Sequence, residues 1–113
     1  MGFMARNPKD PLRVEETTTD TQSWSVVPAG AVDVYTAPLL NERLDRLIDD
    51  GAVLIVLHLH DVDFMDSSGL RVILAASKRI ADNGGQLFIE GASGAVQRVL
   101  EITDTIEQLR RPV

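Results

Sequence analysis

Asp66-Ser67-Ser68-Gly69 sets a carboxylate, two hydroxyls and a glycine in consecutive positions, the densest run of chemically useful groups in the chain. It falls between an almost wholly apolar stretch, Ala52 to Leu59, and an amphipathic one, Leu70 to Ala81. That order reads as a buried strand reaching its carboxyl end, a turn on small polar residues, and a helix start. The first N–H groups of a helix lack intrahelical partners and its dipole is positive there, so an anion is favoured. A hydroxyl on such a turn can carry a phosphate with little strain. That chemistry asks for an exposed hydroxyl, a nearby carboxylate to position it and room for a kinase; Ser67, Asp66 and Gly69 supply the three. The same small polar residues are also favoured at any helix N-terminus, so spacing alone favours a plain capping role for Asp66 or Ser67.

Asp33 is the second candidate, since it follows a strand and precedes a helix. If neighbouring strands carry both turns to one sheet edge, Asp33 lies near Ser67. Its bland alternative is a turn carboxylate that bonds its own backbone. His58, His60, Asp61 and Asp63 can be drawn as a metal cluster, with positions 58 and 60 on one strand face. The chain holds 2 His and 0 Cys, however, and strand-end packing explains them better; no metal and no cofactor is expected. A hydrolase is poorly supported, for there is no G-x-S-x-G elbow and no third group to orient a histidine toward Ser67. There is no Walker A lysine loop either, and Asn83-Gly84-Gly85 is explained by helix termination. Arg71, Lys78 and Arg79 read as a solvated face, and Glu42→Arg46 as a surface i,i+4 pair.

The elements around these groups form a regular order. Leu12–Thr17 and Ser23–Val27 read as short strands, with Pro28 and Gly30 ending the second. Thr36 is placed to cap a helix with Pro38 in its first turn, an apolar face of Leu40, Leu44, Leu47 and Ile48, and Gly51 as its stop. Ala52–Leu59 shows no alternation, so both its faces should be covered, Leu54 and Val56 included. The next helix should turn Leu70, Ile73, Leu74, Ser77, Ile80 and Ala81 inward. Gln86–Glu90 is a further strand, and Ser93 begins a third helix with Val96, Val99 and Leu100 inward. The tail, Thr103–Val113, reads as an edge strand or a last helical turn through Ile106 and Leu109. Parallel β-α-β links with right-handed crossovers then give an α/β fold: a mixed β-sheet of four to five strands with helices mainly on one face.

Composition bounds what this fold can do. The chain has 113 residues, 44% of them hydrophobic and only 4% aromatic, so its core must be aliphatic. A formal charge of −6 argues against nucleic acid or an anionic membrane and suits a partner surface bearing Lys and Arg. Without cysteine there are no disulfides, thiol nucleophiles or Cys-based zinc sites, which is compatible with the cytoplasm. Residues 1–11 read as a flexible leader and 12–113 as the domain. The longest apolar run, Ala52–Leu57, is too short to span a bilayer.

The chain resembles a known family over roughly Leu12 to Thr103. Gly30-x-x-Asp33-Val34-Tyr35-x-Ala37-Pro38, then Asp63-Phe64-Met65-Asp66-Ser67-Ser68-Gly69-Leu70, then Gly84-Gly85 and Ala95-Val96-x-Arg98 look like the bacterial anti-sigma factor antagonists of the STAS domain family. The resemblance implies a STAS-type sheet and a non-enzymatic, cytoplasmic binding module. In that family the serine directly after the aspartate is phosphorylated by an anti-sigma factor that is itself a serine kinase; the matching residue is Ser67, and the turn aspartate matches Asp33. Unphosphorylated antagonist captures the kinase and frees a sigma factor, phosphorylation releases it, and a phosphatase resets it. Asp33, Asp66, Ser67, Ser68, Gly69 and Arg71 are the expected partner-binding residues. Ala31 stands where many members have Glu, Arg71 where Gly is common, and the tail lacks the usual Gly-Leu continuation. A STAS subunit docking on a membrane transporter is the alternative, and it would not require an acceptor serine.

Overall fold

The structure, a computed structural model, describes residues 12–20, 22–92 and 94–102. The expected leader, Ser93 and the tail from Thr103 lie outside them. Along the chain run β1 (Arg13–Asp20), β2 (Ser23–Val32), α1 (Ala37–Asp49), β3 (Leu54–His58), β4 (Val62–Met65), α2 (Ser67–Asp82), β5 (Gln86–Glu90) and α3 (Gly94–Ile102). They build a 5-stranded sheet in the order β1-β2-β3-β5, with β4 paired to β2 off that path. Among the described residues the β1–β2 pair is antiparallel, β3 and β4 lie parallel to β2, and β5 parallel to β3. The α/β class with a mixed sheet is therefore the one expected from the sequence.

Two local readings of the chain change. Pro28 and Gly30 bend β2 instead of ending it. The strand pairs with β3 through Ser23–Val26, then with β4 from Gly30 to Val32, and its register shifts between Gly30 and Ala31. Gly30 takes φ 122°, a conformation costly for any side chain, and its N–H reaches the Asp61 carbonyl at 3.0 Å. The second change is β4 itself. The segment expected to be a simple turn into the helix holds a four-residue strand, of which Val62 and Met65 are buried while Asp63 and Phe64 are exposed.

Burial shows which face of the sheet the helices cover. Along the second half of β2, Val26, Pro28, Gly30 and Val32 are buried and the residues between them only half-buried. Leu40, Leu44, Leu47 and Ile48 of α1 meet Leu70, Ile73, Ala76 and Ile80 of α2 and Val96 and Leu100 of α3 in one aliphatic core. On α2 the inward stripe uses Ala76, while Leu74 stands 39% exposed and Ala81 faces solvent. Gly69 and Ala76 let the helix sit close to its neighbours, so the stripe follows small residues as well as large ones. The expected two-sided cover of the central strand holds for Ile55, Val56 and Leu57 but not for Leu54. Leu54 is half-buried and, with Val56, Thr17, Ser23 and Ser25, lines an open hollow of about 210 Å³.

Charged side chains tie the layers together at the edges. Arg43 of α1 pairs with Glu16 of β1 and donates to the Val14 carbonyl at 3.2 Å. Arg79, read from sequence as solvated, bridges from α2 to Asp45 and Asp49 of α1, the latter at 3.1 Å. Such partly exposed pairs fix orientation more than they add stability.

Candidate functional site

Parallel pairing of β2 with β4 brings the two candidate turns together. Val32 and Met65 are partners in register, so Asp33 and Asp66 follow at the same level on adjacent strands. The Asp66 N–H donates to the Val32 carbonyl at 3.2 Å and locks that level. The condition for Asp33 to lie beside the serine turn, that both strands end at one edge, is met.

Asp66 is the N-cap of α2. With an extended backbone (φ −110°, ψ −170°), its Oδ1 accepts the N–H groups of Ser68 at 2.8 Å and Gly69 at 3.3 Å. The helix therefore begins at once, and Ser67, its first residue, projects into solvent. Among the described residues the Ser67 hydroxyl has no hydrogen-bond partner. Ser68 is half-buried and gives its N–H to Asp66, so the capping oxygen is the aspartate's and not a serine's. Gly69 is buried. A Cβ there would come within 2.7 Å of Val32 Cγ1 and 2.9 Å of Met65 Cγ, so the space Gly69 leaves is filled inside the protein rather than kept for a partner.

Asp33 works differently. Its Oδ1 accepts the N–H of Tyr35 at 2.9 Å and of Thr36 at 3.0 Å, with the Thr36 hydroxyl at 3.2 Å. These bonds, led by the Thr36 N–H, hold its carboxyl below the ordinary carboxylate value, so it stays ionised at neutral pH. Its Oδ2 takes none of them. Thr36 occupies the N-cap position of α1 but makes no side-chain cap; its hydroxyl turns back to the Ala31 carbonyl at 2.7 Å and accepts the Asp33 N–H at 3.0 Å. The turn-carboxylate reading of Asp33 is thus present in the bonds of its Oδ1.

Around these turns lies a surface that residue types alone did not mark. Val34 is 60% exposed, Tyr35 88% and Phe64 47%. Val34 also lines a groove of about 410 Å³ between α1 and α2, with Ala37, Pro38, Asn41, Ser68, Arg71, Val72 and Ala75. Arg71 stands exposed at its lip. An apolar pair placed inside a turn, between a strand end and a helix start, was the available signal for this surface. The histidines lie elsewhere: His58 faces Glu90 at 3.6 Å, His60 faces Asp61 at 3.5 Å, and their rings are 6.1 Å apart edge to face. Among the described residues no three His, Asp or Glu are grouped to hold a metal ion.

Comparison with known proteins places this arrangement. The sequence profile of the STAS domain matches residues 16–110. The anti-sigma-B factor antagonist of Staphylococcus aureus (strain NCTC 8325 / PS 47) is 39% identical over 88 residues, 78% of this chain and 82% of that protein. Among solved structures, an anti-sigma factor antagonist from Mycobacterium paratuberculosis superposes with a TM-score of 0.81 at 22% identity, over 93% of this chain and 89% of that one. The Bacillus antagonist SpoIIAA superposes in its unphosphorylated form at 0.78 (16% identity; 89% and 88% covered) and in its phosphorylated form at 0.71 (13%; 89% and 91%). By sequence and by fold, this chain belongs to the STAS domain family, among its anti-sigma factor antagonists.

Proposed function

We propose that this chain is a cytoplasmic, non-enzymatic switch that binds an anti-sigma factor with serine-kinase activity while Ser67 is unphosphorylated, so freeing a sigma factor. The observation that carries the reading is the Ser67 hydroxyl. It is exposed and, among the described residues, without a partner at the first position of α2; Asp33 ends the adjacent strand at the level of Asp66, Ser68 lines the α1–α2 groove, and Val34, Tyr35 and Phe64 are exposed. In the reaction the hydroxyl oxygen attacks the γ-phosphorus of a nucleoside triphosphate, loses its proton and displaces the diphosphate. Phosphate adds about −1.5 to −2 charge at pH 7, on a chain already at −6. Against a partner surface without matching donors, a cost of about 2.7 kcal/mol suffices for a hundredfold loss of affinity. No large change of shape in this protein is required. A phosphatase returns Ser67 to the binding state.

That SpoIIAA has been solved in both unphosphorylated and phosphorylated forms supports a serine switch on this fold. The alternative, a STAS subunit on a membrane transporter, gives the exposed hydroxyl no task. No described helix is long and apolar enough to cross a membrane.

The test pairs the full chain with serine-kinase anti-sigma factors of its own genome and nucleoside triphosphate, followed by binding assays and mass spectrometry. Ser67→Ala should bind one of them yet take up no phosphate, Ser68→Ala should still be phosphorylated, and Ser67→Asp should bind more weakly. Phosphate on Ser68 alone, or undiminished binding by fully phosphorylated protein, would overturn the proposal.

A further inference from the structure

We propose that Arg71 is the internal partner of a phosphate on Ser67, one turn away on the same helix. The inference rests on the reading of Ser67 as phosphoacceptor and concerns how the phosphorylated state is held. Two of the donors that a helix start ordinarily offers an anion are already spent here. Asp66 Oδ1 takes the N–H groups of Ser68 at 2.8 Å and Gly69 at 3.3 Å. The charged group at the same level on the adjacent strand, Asp33 after β2, is a carboxylate, as is Asp66 itself. A phosphate on Ser67 therefore meets occupied donors and like charge on that side.

A cation stands on the other side. Arg71 lies four residues after Ser67, about 6 Å along a helix and on the same face. Helical side chains lean toward the N-terminus, which carries the guanidinium back over the turn that Ser67 begins. Among the described residues Arg71 is exposed and has no ion pair or hydrogen bond. Three other cations of the helices are engaged: Arg43 with Glu16, Arg79 with Asp45 and Asp49, Lys78 with Asp82. A planar guanidinium matches phosphate oxygens two at a time, which an ammonium does not. Arg71 also lines the α1–α2 groove next to Ser68, where it is free to receive an acidic side chain of a partner. Phosphorylation then acts twice: it adds negative charge at the turn and withdraws the groove's cation into an internal pair.

The test installs phosphoserine at position 67 of the full chain during translation, so no kinase is involved, and follows the phosphate by phosphorus NMR through a pH titration. The second ionisation, ordinarily near pH 6, should fall at a pH about half a unit lower in the parent than in Arg71→Gln. Arg71→Lys should recover part of the difference, and in urea all three should coincide. An unchanged midpoint in Arg71→Gln would overturn the proposal. So would movement of the Ser68 and Gly69 amide resonances with the phosphate, because the helix end would then be holding it. Either failure leaves the kinase reading standing, since that reading is judged by partner binding and by the site of phosphate incorporation.

Discussion

Two aspartates end two parallel strands at the same level, each ahead of a helix, and they do opposite things with the chain that follows. Asp66 closes the first turn of α2 directly through the Ser68 and Gly69 N–H groups, so the next residue is already helical and its hydroxyl stands in solvent. Asp33 spends its bonded oxygen on Tyr35 and Thr36, and α1 begins only at Ala37. The extra residues push Val34 and Tyr35 outward. One turn thus presents a reactive hydroxyl and the other an apolar knob, and parallel register sets them side by side. The distance from aspartate to helix, more than the aspartate itself, decides what each turn displays.

That contrast can be broken first at Gly69. Gly69→Ala forces a Cβ into Val32 and Met65, and should cost about 1–3 kcal/mol in urea unfolding. A neutral result would mean that α2 does not need its close seat on β2 and β4. Asp66→Ala should come next, at about 1–2 kcal/mol, because two amide donors lose their acceptor. Asp66→Asn should keep most of that stability, which separates capping from charge.

Asp33→Ala should lower the melting temperature by a few degrees only, since its bonds serve a short turn at the protein surface, and should weaken partner binding more than it weakens the fold. The acid behaviour sharpens this. A carboxyl whose folded value lies below the ordinary one stabilises the protein fully above that ordinary value, and loses the contribution as pH falls through its lower folded value. The parent should therefore lose this increment below about pH 4, and Asp33→Asn should not. Smallest in the melt is Tyr35→Ser, with stability unchanged within about 0.5 kcal/mol. Its binding to the partner should nonetheless fall about tenfold, and equal affinity would remove the apolar knob from the interface.

A cap at Asp66 or Ser67 and the aliphatic face of α1 were legible in the sequence because each is a local rule: cap, period, stop; that the cap is Asp66 and the helix begins at Ser67 needed the backbone. Gly69 was assigned to a partner's clearance because its true constraint, two side chains from different strands, has no local signature. β4 was missed for a similar reason. With four residues and only Val62 and Met65 buried, it carries too little alternation to separate it from a turn. Pro28 and Gly30 signal a break in a strand equally well whether the chain leaves the sheet or bends to a second neighbour. Arg79 looked solvated on its own helix, and only the packing of α1 against α2 brings Asp45 and Asp49 to it. The apolar surface of Val34, Tyr35 and Phe64 needed exposure values, since on sequence the three pass for ordinary strand and turn residues.

The bend in β2 divides the sheet into two regions that can open independently. Ser23–Val26 belongs to the layer with β1, β3 and β5, whereas Gly30–Val32 holds β4 alone. β4 has no second strand to pair with among the described residues, and its other support is α3 and the start of α2 packed against it. Breaking the few bonds between Gly30–Val32 and β4 would loosen both aspartate turns together while the four-strand layer kept its ladder. Native-state amide exchange should show this as a gradient along one strand, slow at Val26 and faster at Val32. The part of the molecule that displays the hydroxyl would then breathe as a unit on a scaffold that does not.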